Sequence, residues 1–200
     1  MKLAYLNSHA MFVLHLHLAP KAPNTMPPRQ LVFYAEETML TTLAKARGFL
    51  HRKQDAIDAL ERISHFLSAR QRLDILNVIL SQSSPSIERT ITQLQHRIAT
   101  MHTTSQQEGL GSDAVVHLHY TLKNNHWLII ERDELGHGNL QTFGLTLFSR
   151  DTLGAEVGYI NIEEITNVGA RLCLEHTPTR LGSIIKQLKA STRFDQTRHF

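Results

Sequence analysis

Between residues 114 and 160 the chain reads AVVHLHYTLKNNHWLIIERDELGHGNLQTFGLTLFSRDTLGAEVGYI, in which short apolar runs alternate with polar residues and break at turn-forming clusters. A period of two is the repeat of a strand with one buried face, and consecutive strands joined by short turns make an antiparallel sheet. This stretch constrains the fold more than any other. Val115, His117 and His119 alternate with Val116, Leu118 and Tyr120 in a first strand. The LKNN turn follows, where Asn124 and Asn125 tolerate positive φ. A second strand over 127–131 sends Trp127, Ile129 and Glu131 to one side and Leu128 and Ile130 to the other. Further strands are expected over 140–148, 155–160 and 170–175. Asn161 is placed to cap a short helix over 162–165, and a closing helix is expected over 181–188.

The residues ahead of the sheet carry helical spacing. Met39, Leu40, Leu43, Ala46 and Leu50 recur at steps of three and four, and predict a helix over 35–50. Ala56, Leu60, Ile63 and Leu67 predict a second over about 54–68. A third, over about 69–81, is expected to turn Leu73, Leu76, Ile79 and Leu80 inward. Ser84 and Pro85 mark the start of a fourth, with Ser84 as cap and Pro85 in the first turn. Ile87, Ile91, Leu94, Ile98 and Met101 form its seam. Residues 1–34, with four prolines by position 28, are expected to be a poorly ordered lead-in, although residues 11–18 have the composition of a strand. Residues 103–113 read as a polar linker hinged at Gly109 and Gly111. The expected fold class is therefore α+β. An N-terminal bundle of about four helices (35–104) precedes a mainly antiparallel β-meander with a closing C-terminal helix (105–188), and a basic tail (189–200) ends the chain.

A net charge of +3 is too small to mark a dedicated nucleic-acid binder, though residues 1–104 hold twelve Lys and Arg against seven acids. Cys173 is the single cysteine, which excludes an intrachain disulfide. Thirteen histidines make the charge responsive to acid. The opening MKLAYLNSHAMFVLHLHLAP has an apolar run, but His15 and His17 interrupt it and no small-residue cleavage site follows. A cytoplasmic protein without a membrane span is expected, and Met26 competes with Met1 as the start.

The order of motifs HLHYTLKNNHWLIIERD, QTFGLTLF, AEVGYINIEEI and LEHTPTRLGSI resembles an uncharacterised domain family carried on bacterial plasmids and integrative conjugative elements. The matching positions are Trp127, Glu131, Asp133, Phe143, Gly144, Glu156, Gly158 and Tyr159, and the resemblance covers about residues 60–188. It implies a genetic setting rather than a reaction: an accessory protein of a mobile element.

Three constellations carry candidate chemistry. Glu131 and Asp133, with Glu156 across the sheet, would serve a hydrolase or nuclease if they converged. His117, His119 and His126 have the i, i+2 and cross-turn placement of zinc ligands, against the plainer reading of polar-face residues. Tyr120, Trp127, Phe143 and Tyr159 are candidates for an aromatic binding platform, against the plainer reading of core aromatics. In the helical half, residues 69–102 allow a helix-turn-helix regulator that presents Arg89 and Arg97. No phosphate loop and no nucleophile elbow occur, and no cofactor is called for. The sequence thus favours a non-enzymatic module that contacts protein or nucleic acid through its sheet face.

Overall fold

The computed structural model describes residues 28–81, 84–133, 141–148 and 155–196. The chain divides into two compact units, Met1–Gln54 and Asp55–Phe200. Helix α1 (Pro28–Arg62) supplies the described part of the first unit, and its last turns belong to the second. It replaces the two helices expected over 35–50 and 54–68. Nothing between Leu50 and Gln54 breaks a helix, and one glycine at position 48 costs only about 1 kcal/mol. The helix also takes in residues 28–34 of the expected lead-in. Proline fits a first helical turn, where its missing N–H removes no internal bond. The strand expected over 11–18 lies outside the described residues.

In the second unit a 3₁₀ turn (Ser64–Phe66) leads into α2 (Ala69–Ser81), whose start is capped by Ser68 Oγ accepting the Gln71 N–H at 3.2 Å. Its buried stripe is Gln71, Ile75 and Ile79, one every fourth residue. Leu73 and Leu80, expected inward, are exposed instead. The inward line contains a glutamine because that side chain has backbone partners. Gln71 Nε2 donates to Leu172 O at 2.7 Å and its Oε1 accepts from Leu172 N at 3.0 Å. Helix α3 (Pro85–Thr100) buries Ile91, Leu94 and Ile98, as its seam predicts, and Met101 is buried just beyond it. Pro85 opens the helix, but the Ser84 side chain makes no capping bond, contrary to expectation, because its backbone departs from cap geometry (φ −121°, ψ 78°).

The expected hinge over 103–113 is pinned. The Glu131 carboxylate accepts the N–H groups of Ser105 and Gln107. The Gln107 amide in turn donates to Val115 O and Ile130 O at 3.0 and 2.9 Å. Gly109 and Gly111 take positive φ, which glycine reaches without a Cβ penalty.

The main sheet has the order β5-β4-β3-β2-β6 and is antiparallel throughout. Its strands are β2 (Leu118–Leu122), β3 (Asn125–Arg132), β4 (Gln141–Leu147), β5 (Ala155–Asn161) and β6 (Arg171–Leu172). The short β1 (Val115–Val116) pairs with β7 (Thr179–Arg180). The first strand thus breaks at His117. Its N–H donates to Ile129 O although Leu118 is the residue opposite Ile129, so two residues face one. Beyond this bulge the expected alternation shifts phase. Val116 joins one core while Leu118 and Tyr120 join the other. The positive φ at the following turn falls on Lys123 (54°), not on either asparagine.

Each sheet face has its own core. Leu118, Tyr120, Trp127, Ile129 and Ile160 pack with the helices of this unit. Val116, Leu128, Ile130, Leu145 and Leu147 pack with Leu181 and Ile184 of the C-terminal helix α5 (Leu181–Gln196). That helix runs past the expected end at 188 and takes in part of the expected tail. Asn161 caps α4 (Ile162–Asn167) as expected, its side chain accepting the Glu164 N–H at 3.2 Å. The expected strand over 170–175 shortens to the two residues of β6, after which Cys173 N donates to His119 O. The α+β class, with helices first, antiparallel strands next and a helix last, is thus what the chain adopts.

Candidate functional site

The four aromatic candidates divide between interior and surface. Tyr120 is fully buried and its hydroxyl donates to Phe66 O at 2.9 Å, while Trp127 is 7% exposed. Tyr120 and Trp127 are opposite each other on β2 and β3, on the face covered by helices. They are core residues and present no platform. Phe143 and Tyr159 are opposite each other on β4 and β5, with their rings edge to face at 5.7 Å. Tyr159 is 68% exposed and Val157, two residues along the same strand face, is 66% exposed. Among the described residues β5 has no neighbour on its outer side. An unpaired seven-residue edge with exposed apolar side chains is a surface that proteins ordinarily cover or charge. Glu156 is the only charged residue in the strand. Val157 belongs to this surface but was not singled out from the sequence, because alternation does not show which strand ends the sheet.

The acids do not converge. Glu131 is buried and committed to the loop it caps. Asp133 donates its backbone N–H to Gln141 O at 3.0 Å, at the end of β3. Glu156 is exposed and sits opposite Thr146, whereas Glu131 lies in line with Phe143 and Tyr159. Three residues along a strand and two strands across put Glu131 and Glu156 roughly 14 Å apart. Carboxylates that far apart share neither a cation nor a proton. The arginines are likewise separated. Arg89 Nε donates to Pro85 O in its own helix at 3.1 Å. Arg97 is half-buried and donates to His176 O, and burial lowers its pKa. Arg89 is thus exposed on its helix while Arg97 is engaged with the segment after β6, so the two are not presented alike.

The histidines assemble into something the sequence did not anticipate. His117 Nε2 lies 2.7 Å from His102 Nδ1, just past the end of α3. His119 Nε2 lies 3.0 Å from His126 Nδ1, its diagonal neighbour on β3. His176 packs edge-on against His119 with ring centroids at 5.8 Å, and its Nε2 meets Val116 O at 3.0 Å. The bulge sends His117 and His119 to different partners, so the expected trio of His117, His119 and His126 does not close on one point. Among the described residues no group of three or more His, Cys, Asp or Glu is placed to hold a metal ion. Within each pair one ring donates and the other accepts, so the accepting nitrogen of each pair carries no proton. Burial, then the positive charge of His102, Arg97 and His176, pushes the His117 pKa from 6.5 down to about 4. Burial, then His126 and His176, pushes His119 down to about 4 as well. His126 and His176 are also lowered, chiefly by burial. The sequence showed the excess of histidine but not His102 and His176 as partners, since both sit in segments without periodic pattern.

No family model, curated protein or solved structure matches this chain. The functional reading therefore rests on the geometry of the chain itself. No helix among the described residues is long and apolar enough to cross a membrane.

Proposed function

We propose that this protein is a non-enzymatic binding module, acting in the cytoplasm as an accessory factor of a mobile element, and that it takes a protein partner through the β4–β5 margin of its sheet. The observation that carries the reading is the exposure of Val157 and Tyr159 on an edge strand with no outer neighbour among the described residues. Such an edge accepts an extended segment by main-chain pairing, and the side chains beside it select what binds. Protein is favoured over nucleic acid because β5 carries no Lys or Arg, and phosphate contact depends on such cations. The scattered placement of Glu131, Asp133 and Glu156 supports a binding role over hydrolysis.

The test is capture from the native host with the full chain, with and without nuclease, comparing wild type with a Val157→Ser/Tyr159→Ser variant. A nuclease-resistant partner that the variant loses, with unfolding unchanged, is the expected result. A partner released by nuclease, or held equally by the variant, overturns the proposal.

A further inference from the structure

Residues 173–180 form a strap that leaves the sheet after β6, pairs with β1 as β7 and runs straight into α5. One residue fastens its middle. His176 Nε2 donates to Val116 O at 3.0 Å, His176 O accepts from Arg97 of α3, and the His176 ring stands edge-on against His119. Two imidazole pairs flank it. His102–His117 lies toward α3. His119–His126 lies on the face that α5 covers, since His119 is opposite Leu128 and His126 opposite Leu147. Five imidazoles and a guanidinium thus gather at the strap, and the charges that bear on His117, His119 and His176 are all basic. The nearby acids are engaged elsewhere or exposed. Glu131 of β3 accepts the Ser105 and Gln107 amides, Asp113 pairs with Arg180 at the far end of the strap, and Glu175 on the strap is exposed. Lys186 and Lys189 of α5 are exposed and add the same sign. Cys173, the strap's other titratable group, has its Sγ 3.9 Å from Thr121 Oγ1.

We propose that this strap is an acid-released latch. On acidification residues 173–180 leave β1 and β2, α5 lifts with them, and the face formed by Leu128, Ile130, Leu145 and Leu147 is uncovered. Each imidazole pair holds one proton between two nitrogens. A first added proton leaves that bond intact, because a protonated ring still donates; a second sets N–H against N–H and parts the rings. Every proton taken up also places a charge beside Arg97 and the remaining rings. Detaching the strap removes His176 from the group and returns the others to water, which favours their charged forms. The opening is local because the two cores differ in size. Eight buried apolar residues form the core under α5 and twenty form the one under the helices, so lifting α5 forfeits the smaller part. The latch acts at the margin opposite β5, so it is independent of the binding edge proposed above.

The experiment is hydrogen exchange of the full chain at pH 7 and pH 5, resolved to single amides and expressed as protection factors, with binding of an apolar dye measured alongside. The reporters are the amides of Cys173, His176 and Leu181, which donate to His119 O, Cys173 O and Ala114 O. Amides within α2 and α3 are the reference. A ring that titrates at about 4 when latched and at 6.5 when released raises the opening constant about 20-fold between those two pH values. Protection at the three reporters is therefore expected to fall at least about 20-fold further than at the reference amides, with a gain in dye binding. His117→Gln/His119→Gln keeps hydrogen-bonding side chains that take no proton, and is expected to change by less than about threefold. Wild-type protection that is the same at both pH values overturns the inference. So does an equal fall at the reference amides, which makes the event global unfolding, or strap exchange without dye binding. An equal fall in the variant overturns it too, and should the variant not fold, the wild-type comparison of reporter and reference amides still decides.

Discussion

Acid should unfold this protein through its histidines, and the size of the effect follows from the structure. His117 and His119 are held neutral, with pKa values of about 4 against an ordinary 6.5. Every neighbour that bears on them is neutral or cationic: His102 after α3, Arg97 on α3, His176 after β6 and His126 on β3. In the unfolded chain both imidazoles bind protons near pH 6.5, while in the folded chain they resist until about pH 4. The unfolded state therefore gains the protons first. Stability is complete above about pH 6.5, falls as the pH drops from there toward 4, and levels off for these groups below. At about 1.4 kcal/mol per pH unit, the buried His117 accounts for about 3 kcal/mol. His119, half-buried, is discounted for solvent screening to about half that. A loss of about 4 to 5 kcal/mol is a large share of a typical domain's 5–15 kcal/mol. The assay is urea unfolding followed by the fluorescence of Trp127, the only tryptophan, which lies in the helix-facing core. Free energies are measured at half-unit steps from pH 7.5 to 4, for wild type and for His117→Asn/His119→Gln. Acidic side chains titrate in both proteins, so the difference in slope isolates the two imidazoles. The variant starts lower at neutral pH because pair hydrogen bonds are lost, but its curve should be flatter by up to about 1.4 kcal/mol per pH unit for each histidine removed. Parallel curves, or a wild-type stability that rises toward pH 5, would refute the reasoning.

Gly144→Ala should cost about 3 kcal/mol or more, read as a fall in the urea midpoint. A Cβ there would run into the Leu128 carbonyl oxygen and come within 3.1 Å of Ile129 Cα, both main-chain atoms that cannot yield without parting β3 from β4. Glu131→Ala should cost about 3 kcal/mol, since the N–H groups of Ser105 and Gln107 lose their acceptor, whereas Glu131→Gln retains one carbonyl oxygen and should cost about half. Equal stability of the alanine and glutamine variants would show that the carboxylate is not what holds the loop.

Periodicity decided the elements, and tertiary structure decided their uses. Alternation over 114–160 was sufficient for an antiparallel meander, and three-and-four spacing was sufficient for helices ahead of it, because each repeat follows from one residue's backbone geometry. The Ser84-Pro85 break and the Asn161 cap were legible for the same reason, since their effects reach only a few residues. The Gln71 clamp on Leu172 spans 101 residues of sequence, and no local pattern encodes it. Nor does composition tell an aromatic in the core from one at the margin. Trp127 and Tyr159 occupy similar strand positions, yet one is covered by helices and the other lies on the last strand.

The sequence alone determined that the chain would be α+β, that its strands would pair antiparallel, and that Glu131, Asp133, Glu156, His117, His119 and His126 would lie on or beside those strands. Only the tertiary structure determined which of them meet. A single extra residue at His117 changes the face that each neighbouring side chain takes, and so divides the expected histidine trio. Strand order, set by packing on both faces, made β5 an edge and exposed Val157 and Tyr159 there, for lack of a sixth strand beyond it among the described residues.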